Sequence, residues 1–157
     1  MNNMNSIEDA KKYLRINFEK GVKCPCCGQF VKLYHRKINS GMAVELITLY
    51  KLSKVNENSF NEYFHHSKFA TVSGGEISKL EYWGLVYQKA KTTEDTKAKT
   101  SGFWKITDKG IDFVRNKIEV PEQVSIFDAR LYGFSEKMTN IVKSLGSKFD
   151  YNELMNA

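Results

Sequence analysis

Two short runs, VYQKAK at 86–91 and FWKIT at 103–107, read as strands and flank the polar stretch TTEDTKAKTSG at 92–102. Phe103, Lys105 and Thr107 alternate with Trp104 and Ile106, which is the period of a half-buried strand. Two strands this close in the chain, joined by a lysine-rich turn with no apolar anchor, bury their faces together by folding back as an antiparallel ribbon. The residues on either side fix what the ribbon packs on. SGGEISKLEYWG predicts a helix over about 75–83, capped near Ser73 and stopped by Gly84, where a positive backbone angle turns the chain into the first strand. Leu80 is expected beneath that helix and Ile106 in the core. Thr107 or Asp108 then caps a short helix in DKGIDFVRNKI. Leu80, Gly84, Leu85 and Ile106 together predict a short helix locked against a two-stranded flap.

The rest of the chain reads as helices and small strands. Ser6 followed by Asp9 resembles a capping pair, and Ile7, Ala10, Leu14 and Phe18 recur at helical spacing, so a helix is expected at 7–20 with Lys11, Lys12 and Arg15 on its outer face. A turn at Cys24–Gly28 and a strand at 29–35 follow. The segment from Ser40, a candidate N-cap, to about 55 is apolar on most sides, as expected of a central helix. A short helix is expected at 59–65. After Pro121, VSIF and RLYGF predict two strands paired across Asp128–Ala129. Ser135 is expected to cap a helix at 136–145 that Gly146 ends, and FDYNELM predicts a last turn. The expected organisation is α+β: residues 1–39 as an N-terminal helix and cysteine knuckle, 40–118 as the central module, and 119–157 as a C-terminal strand and helix extension.

ISKLEYWGLVYQ resembles the junction of recognition helix and first wing strand in MarR-like regulators, and FWKITDKGIDFV resembles their second wing strand, Leu-Thr-x-x-Gly and following helix. The likeness covers roughly residues 40–118 and implies a winged helix-turn-helix, with dimerisation through terminal helices. As a whole the chain also resembles small phage-encoded proteins of unknown function that carry a cysteine knuckle ahead of such a module. No activity comes with that second likeness. These strings are folding constraints, so they speak for fold more than for function.

A winged helix that reads DNA places its third helix in the major groove and its wing on the backbone. Net charge is +6, concentrated as +5 in residues 1–37 and +3 in 86–109. Lys89, Lys91, Lys97 and Lys99 of the wing are expected to meet phosphates, with Lys11, Lys12 and Arg15 adding to the basic surface. Ser78 and Lys79 face the groove in this reading. Glu76 and Glu81 on the same helix oppose it, and no arginine is present there to pair with guanine edges. The expected partner is therefore double-stranded DNA, bound as a phage-encoded regulator or accessory factor. The alternative is a protein-interaction adaptor, or an inhibitor of a host enzyme, on the same fold.

All three cysteines fall in CPCCG, and Cys24 and Cys27 have the spacing of half a zinc ribbon. Two intervening residues let both thiolates face one ion at about 2.3 Å. A second pair is lacking, so the remaining ligands of a structural Zn2+ are sought in His35 and His65, with His66 and Cys26 as alternatives. A metal-free knuckle with buried thiols is the competing reading. A redox pair is disfavoured because the expected strand before it and long helix after it are missing.

No Gly-rich phosphate loop, His-Glu-x-x-His or Gly-x-Ser-x-Gly occurs, and a non-enzymatic protein is expected. Tyr63, Phe64, Tyr82, Trp83 and Trp104 read as core rather than as base-stacking rings. No apolar run approaches the ~20 residues a membrane span needs, and the N-terminus lacks a signal peptide's apolar block. The expected location is cytoplasmic, in the host cell if the chain is phage-encoded.

Overall fold

The computed structural model describes residues 6–54, 59–70, 76–90 and 102–156. Its core is built round helix α2 (Ser40–Lys54), in which Met42, Ala43, Leu46, Ile47 and Leu49 are at most 1% exposed. Apolar residues on most sides make α2 the axle of the fold, as its sequence predicts. Its cap differs from the expected one. Asn39, not Ser40, accepts the Met42 amide (Asn39 Oδ1, 2.9 Å), and Ser40 is already helical.

The segment Glu76–Trp83 is helical but winds as a 3₁₀ helix. Ile77, Leu80 and Trp83 recur every third residue and are 2%, 0% and 1% exposed. A period of three stacks them on one ridge when the chain takes three residues per turn. Gly84 stops this helix at φ +75°. Strand β5 (Val86–Gln88) then pairs antiparallel with β6 (Phe103–Ile106), with Val86 opposite Ile106 and Gln88 opposite Trp104. A third strand, β4 (Phe64–His65), adds to the far edge of β6. The helix expected at 59–65 is thus one 3₁₀ turn, Ser59–Asn61, followed by that strand. Thr107 joins the ribbon to helix α3 (Asp108–Val114): its hydroxyl accepts the Gly110 amide (2.9 Å) and donates to the Gly84 carbonyl (2.6 Å).

The N-terminal helix α1 (Ile7–Asn17) is capped by Ser6, which accepts the Asp9 amide at 3.2 Å. It ends before the expected boundary because Phe18 closes the last turn. The expected strand at 29–35 is two strands. One, β2 (Phe30–Val31), pairs with β1 (Val22–Lys23) across the cysteine turn, and the other, β3 (Tyr34–Lys37), leaves in another direction.

The flanks of the module meet each other. Strands β8 (Gln123–Phe127) and β9 (Arg130–Phe134) form the expected hairpin, and β3 adds to β8, giving a three-stranded antiparallel sheet in the order β3-β8-β9. Tyr34 lies opposite Ile126 and Arg36 opposite Val124. Val124 and Ile126 carry this sheet into the core round α2.

The tail differs from its expected form. Ser135 caps no helix: its hydroxyl accepts the Gln123 amide (3.0 Å) and donates to the Lys137 carbonyl (2.9 Å). A short strand pair follows, β7 (Val120–Pro121) with β10 (Met138–Thr139). Asn140 then caps helix α4 (Ile141–Leu145) through the Lys143 amide at 2.8 Å. Asn140 wins because it can fold its carboxamide back on the next turn, whereas residues 138–139 are held extended by pairing with β7. Helix α5 (Tyr151–Asn156) closes the chain, tied to the core by Tyr151 hydroxyl to Val114 carbonyl (2.6 Å). Among the described residues no helix is long and apolar enough to cross a membrane.

Candidate nucleic-acid interface

The predicted contact residues fall in three places. Ser78 and Lys79 lie on the outer side of the 3₁₀ helix and are half-buried rather than projecting. They line an open groove of about 600 Å3 whose floor is Tyr82, Trp104 and Leu131. Lys89 is exposed at the end of β5, with Nζ 5.7 Å from the centre of the Phe103 ring. Lys91, Lys97 and Lys99 lie outside the described residues, as does Ser73. Lys11, Lys12 and Arg15 lie along α1, as their helical spacing predicts, with Lys11, Lys12 and Arg15 turned toward solvent to differing degrees.

The 3₁₀ helix is engaged on its outer side. Arg36 Nη2 sits 3.1 Å from Glu76 Oε2, and Asn39 Nδ2 reaches the same oxygen at 3.4 Å. The acid that opposed a phosphate approach in the sequence is therefore neutralised by β3. Further along, the Tyr82 hydroxyl donates to the Ala129 carbonyl at 2.8 Å, so the tip of the β8–β9 hairpin rests on the helix. Trp83 Nε1 donates to the Pro121 carbonyl at 2.7 Å from the buried side. Trp83 and Trp104 are 1% and 3% exposed and belong to the core, as expected.

The expected metal residues are not brought together. Cys24 is half-buried, Cys26 and Cys27 are exposed, and all three are free thiols on one turn. That turn is closed by Gly28 N–H to the Cys24 carbonyl (2.8 Å) and Cys24 N–H to the Gln29 carbonyl (2.7 Å). The backbone amides of Cys27 and then Cys26 donate to the Cys24 sulfur and hold its pKa below that of an ordinary thiol. Amide donors of this kind favour a thiolate, as a zinc knuckle requires. His35, however, sits on β3 with both ring nitrogens engaged, Nε2 by Glu19 Oε1 (2.6 Å) and Nδ1 by Ser125 Oγ (3.0 Å). His65 lies in the ribbon sheet with Nδ1 2.8 Å from Ser67 Oγ and its ring against His66. Among the described residues no three His, Cys, Asp or Glu side chains are grouped to hold a metal ion. The thiol environment suits a soft cation; the set Cys24, Cys27, His35 and His65 does not surround one.

One aromatic cluster was not visible in the sequence. Phe18, Phe127 and Tyr132 meet edge to face, with ring centres 5.3–6.0 Å apart. They come from the end of α1, β8 and β9, and only the pairing of the two flanks assembles them. Tyr132 is 54% exposed, and Phe30 and Tyr34 nearby are 59% and 56% exposed. The alternation of Phe30 and Lys32 with Val31 and Leu33 in FVKLY was the visible signal, but it reads equally well as an ordinary strand.

The chain matches no protein-family model, no curated protein and no solved structure, so its residues alone carry the functional argument.

Proposed function

We propose that the chain is a non-enzymatic winged-helix protein that binds double-stranded DNA by its phosphates, as a regulator or accessory factor of phage type. The observation that carries this reading is the antiparallel ribbon β5–β6 seated beside the helix Glu76–Trp83. Lys89 and Lys105 stand on the ribbon, and its connecting segment carries Lys91, Lys97 and Lys99. A lysine ribbon tracks a duplex backbone, and the basic face of α1 adds charge to the same molecule. The helix contributes little base reading in this account. Glu76 is held by Arg36, Tyr82 by Ala129, and Glu81 is exposed as an acid. The proposed binding is therefore strong in salt dependence and weak in sequence choice.

Anisotropy titration of a labelled random-sequence duplex at two salt concentrations tests this. Replacing Lys89, Lys91, Lys97 and Lys99 by Ala is expected to weaken binding and to flatten the salt slope by up to about 0.9 for each phosphate that no longer meets a lysine. Undiminished affinity in that variant refutes the ribbon's role.

The second reading, a protein-binding adaptor or host-enzyme inhibitor, is favoured by one observation. The open groove over Tyr82, Trp104 and Leu131 is apolar at its floor and lies where a DNA-reading helix would present side chains. A structural zinc would need two ligands beyond Cys24 and Cys27. His35 supplies one only by freeing a ring nitrogen from Glu19 or Ser125, and His65 only by leaving its place in the ribbon sheet. Elemental analysis of the purified protein beside its Cys24→Ser and Cys27→Ser forms decides that point.

A further inference from the structure

The aromatic cluster between α1 and the β3-β8-β9 sheet is built from elements other than the ribbon. Two open grooves meet there. One, of about 170 Å3, runs over Phe18, Phe127 and Tyr132 and is rimmed by Lys11 and Arg15. The other, of about 250 Å3, runs past Phe30 and Tyr34 with Lys32 beside them. Val31 and Phe127 line both, so the two grooves are neighbours that share these walls.

Their chemistry is unusual for a free surface. Three aromatic rings are each more than half exposed, and an exposed ring in water forgoes the burial that normally holds it. The tip of the Phe30 ring lies against Gly21 so closely that a Cβ there would come within 2.5 Å of its Cζ, and the side chain is 59% exposed. Lys32 Nζ stands 5.8 Å from the Tyr34 ring centre. Among the described residues that line the two grooves, the cations Lys11, Arg15 and Lys32 stand with the acid Asp128. Lys11 also pairs with Glu8 at 3.7 Å, but both groups are more than half exposed, so a phosphate competes easily for the lysine.

We propose that this track binds single-stranded nucleic acid, with bases stacked on Phe30, Tyr34 and Tyr132 and phosphates met by Lys11, Arg15 and Lys32. Flat rings interleaved with cations suit an unpaired strand, whose bases offer stacking faces and whose backbone offers regular negative charge. A duplex hides those faces. The two lysines argue against a protein partner, because lysine is depleted at the centres of protein interfaces, whereas the rings and Arg15 are of kinds found in either interface. The track shares no residue with the ribbon, so either can fail alone.

The test is anisotropy with labelled oligothymidylate, using the full chain. Lys11→Ala with Arg15→Ala is expected to lower the salt slope by about 0.7 for each phosphate left without its cation. Phe30→Ala and Tyr132→Ala are each expected to weaken binding roughly tenfold or more, in line with the stacking contribution of one base. Tyr132→Phe keeps the ring and is expected to bind as the native chain does, which separates stacking from a loss of packing. The alanine variant of the four ribbon lysines is expected to retain oligothymidylate binding. The proposal is overturned by no binding of oligothymidylate, by binding that only the ribbon variant abolishes, or by a self-associated protein that Phe30→Ala dissociates without any effect on oligonucleotide binding.

Discussion

Gly110 brings α3 against the Leu85 backbone and Ile106 of the ribbon, and replacing it by Ala tests that junction. A Cβ at this position would lie 2.2 Å from the Leu85 carbonyl oxygen, 2.7 Å from Ile106 Cγ1 and 3.1 Å from the Leu85 carbonyl carbon. Two of those atoms are backbone. The Leu85 oxygen is also fixed, because it accepts the Thr107 amide at 3.1 Å. Overpacking against a core costs about 1–3 kcal/mol, and an obstacle that cannot rotate away puts this case at the upper end. Moving α3 outward also stretches the Thr107 cap on the Gly110 amide, worth about 1 kcal/mol. Against this, Ala is the better helix former by about 1 kcal/mol. The net expectation is a loss of about 3 kcal/mol. With a urea dependence of about 2 kcal/mol per molar, the unfolding midpoint falls by roughly 1.5 M at unchanged slope. Gly133→Ala serves as control, since nothing lies within 4 Å of its added Cβ; its effect is expected within about 0.5 kcal/mol. An unchanged or raised midpoint for Gly110→Ala would falsify the placement of α3 against Leu85, and the ribbon's anchorage with it.

Two further outcomes follow from single residues. Asp128 and Ala129 turn the β8–β9 hairpin at φ +50° and +59°, a left-handed pair that suits Asn-Gly. Ala129→Gly is expected to relieve about 1–2 kcal/mol of strain and return up to about 1 kcal/mol as unfolded-chain entropy, so thermal unfolding rises by a few degrees; a fall shows that the turn is not strained. Tyr151 is held protonated chiefly by burial and secondly by Tyr50, which raises its pKa above the ordinary phenol value of about 10. A raised value in the folded state contributes stability that is full below that ordinary value and is lost as pH rises through the shifted one. Phenolate absorbance of the native chain minus that of Tyr151→Phe should titrate above pH ~10, and a midpoint at or below it contradicts the docking of the Tyr151 ring against Val114 and Tyr50.

The flap was legible because its signals are local. Gly84 needs φ +75°, Thr107 needs an amide three residues on, and strand alternation over Phe103–Thr107 has a period no helix shares. The helix Ser40–Lys54 was legible for the same reason, through apolar residues on nearly every side. Misreadings occurred where a local preference met a distant partner. Ser135 reads as a cap, yet its hydroxyl is taken by the Gln123 amide twelve residues back. Ile77, Leu80 and Trp83 fit either helix type by sequence, and packing selected the tighter one.

By itself, then, the sequence determined the α+β class, the helix-and-ribbon junction, the basic face of α1 and the position of the thiols, since each depends on neighbours within a few residues. Tertiary structure alone decided that β3 joins β8 across some ninety residues, that a hairpin tip rests on the 3₁₀ helix, and that Phe18, Phe127 and Tyr132 share one surface. Strand pairing carries no local code for its partner. Val124 and Ile126 mark the buried face of β8, but nothing local in Tyr34–Lys37 marks it as the strand that pairs along its edge, and that choice is settled only when the whole core closes on α2.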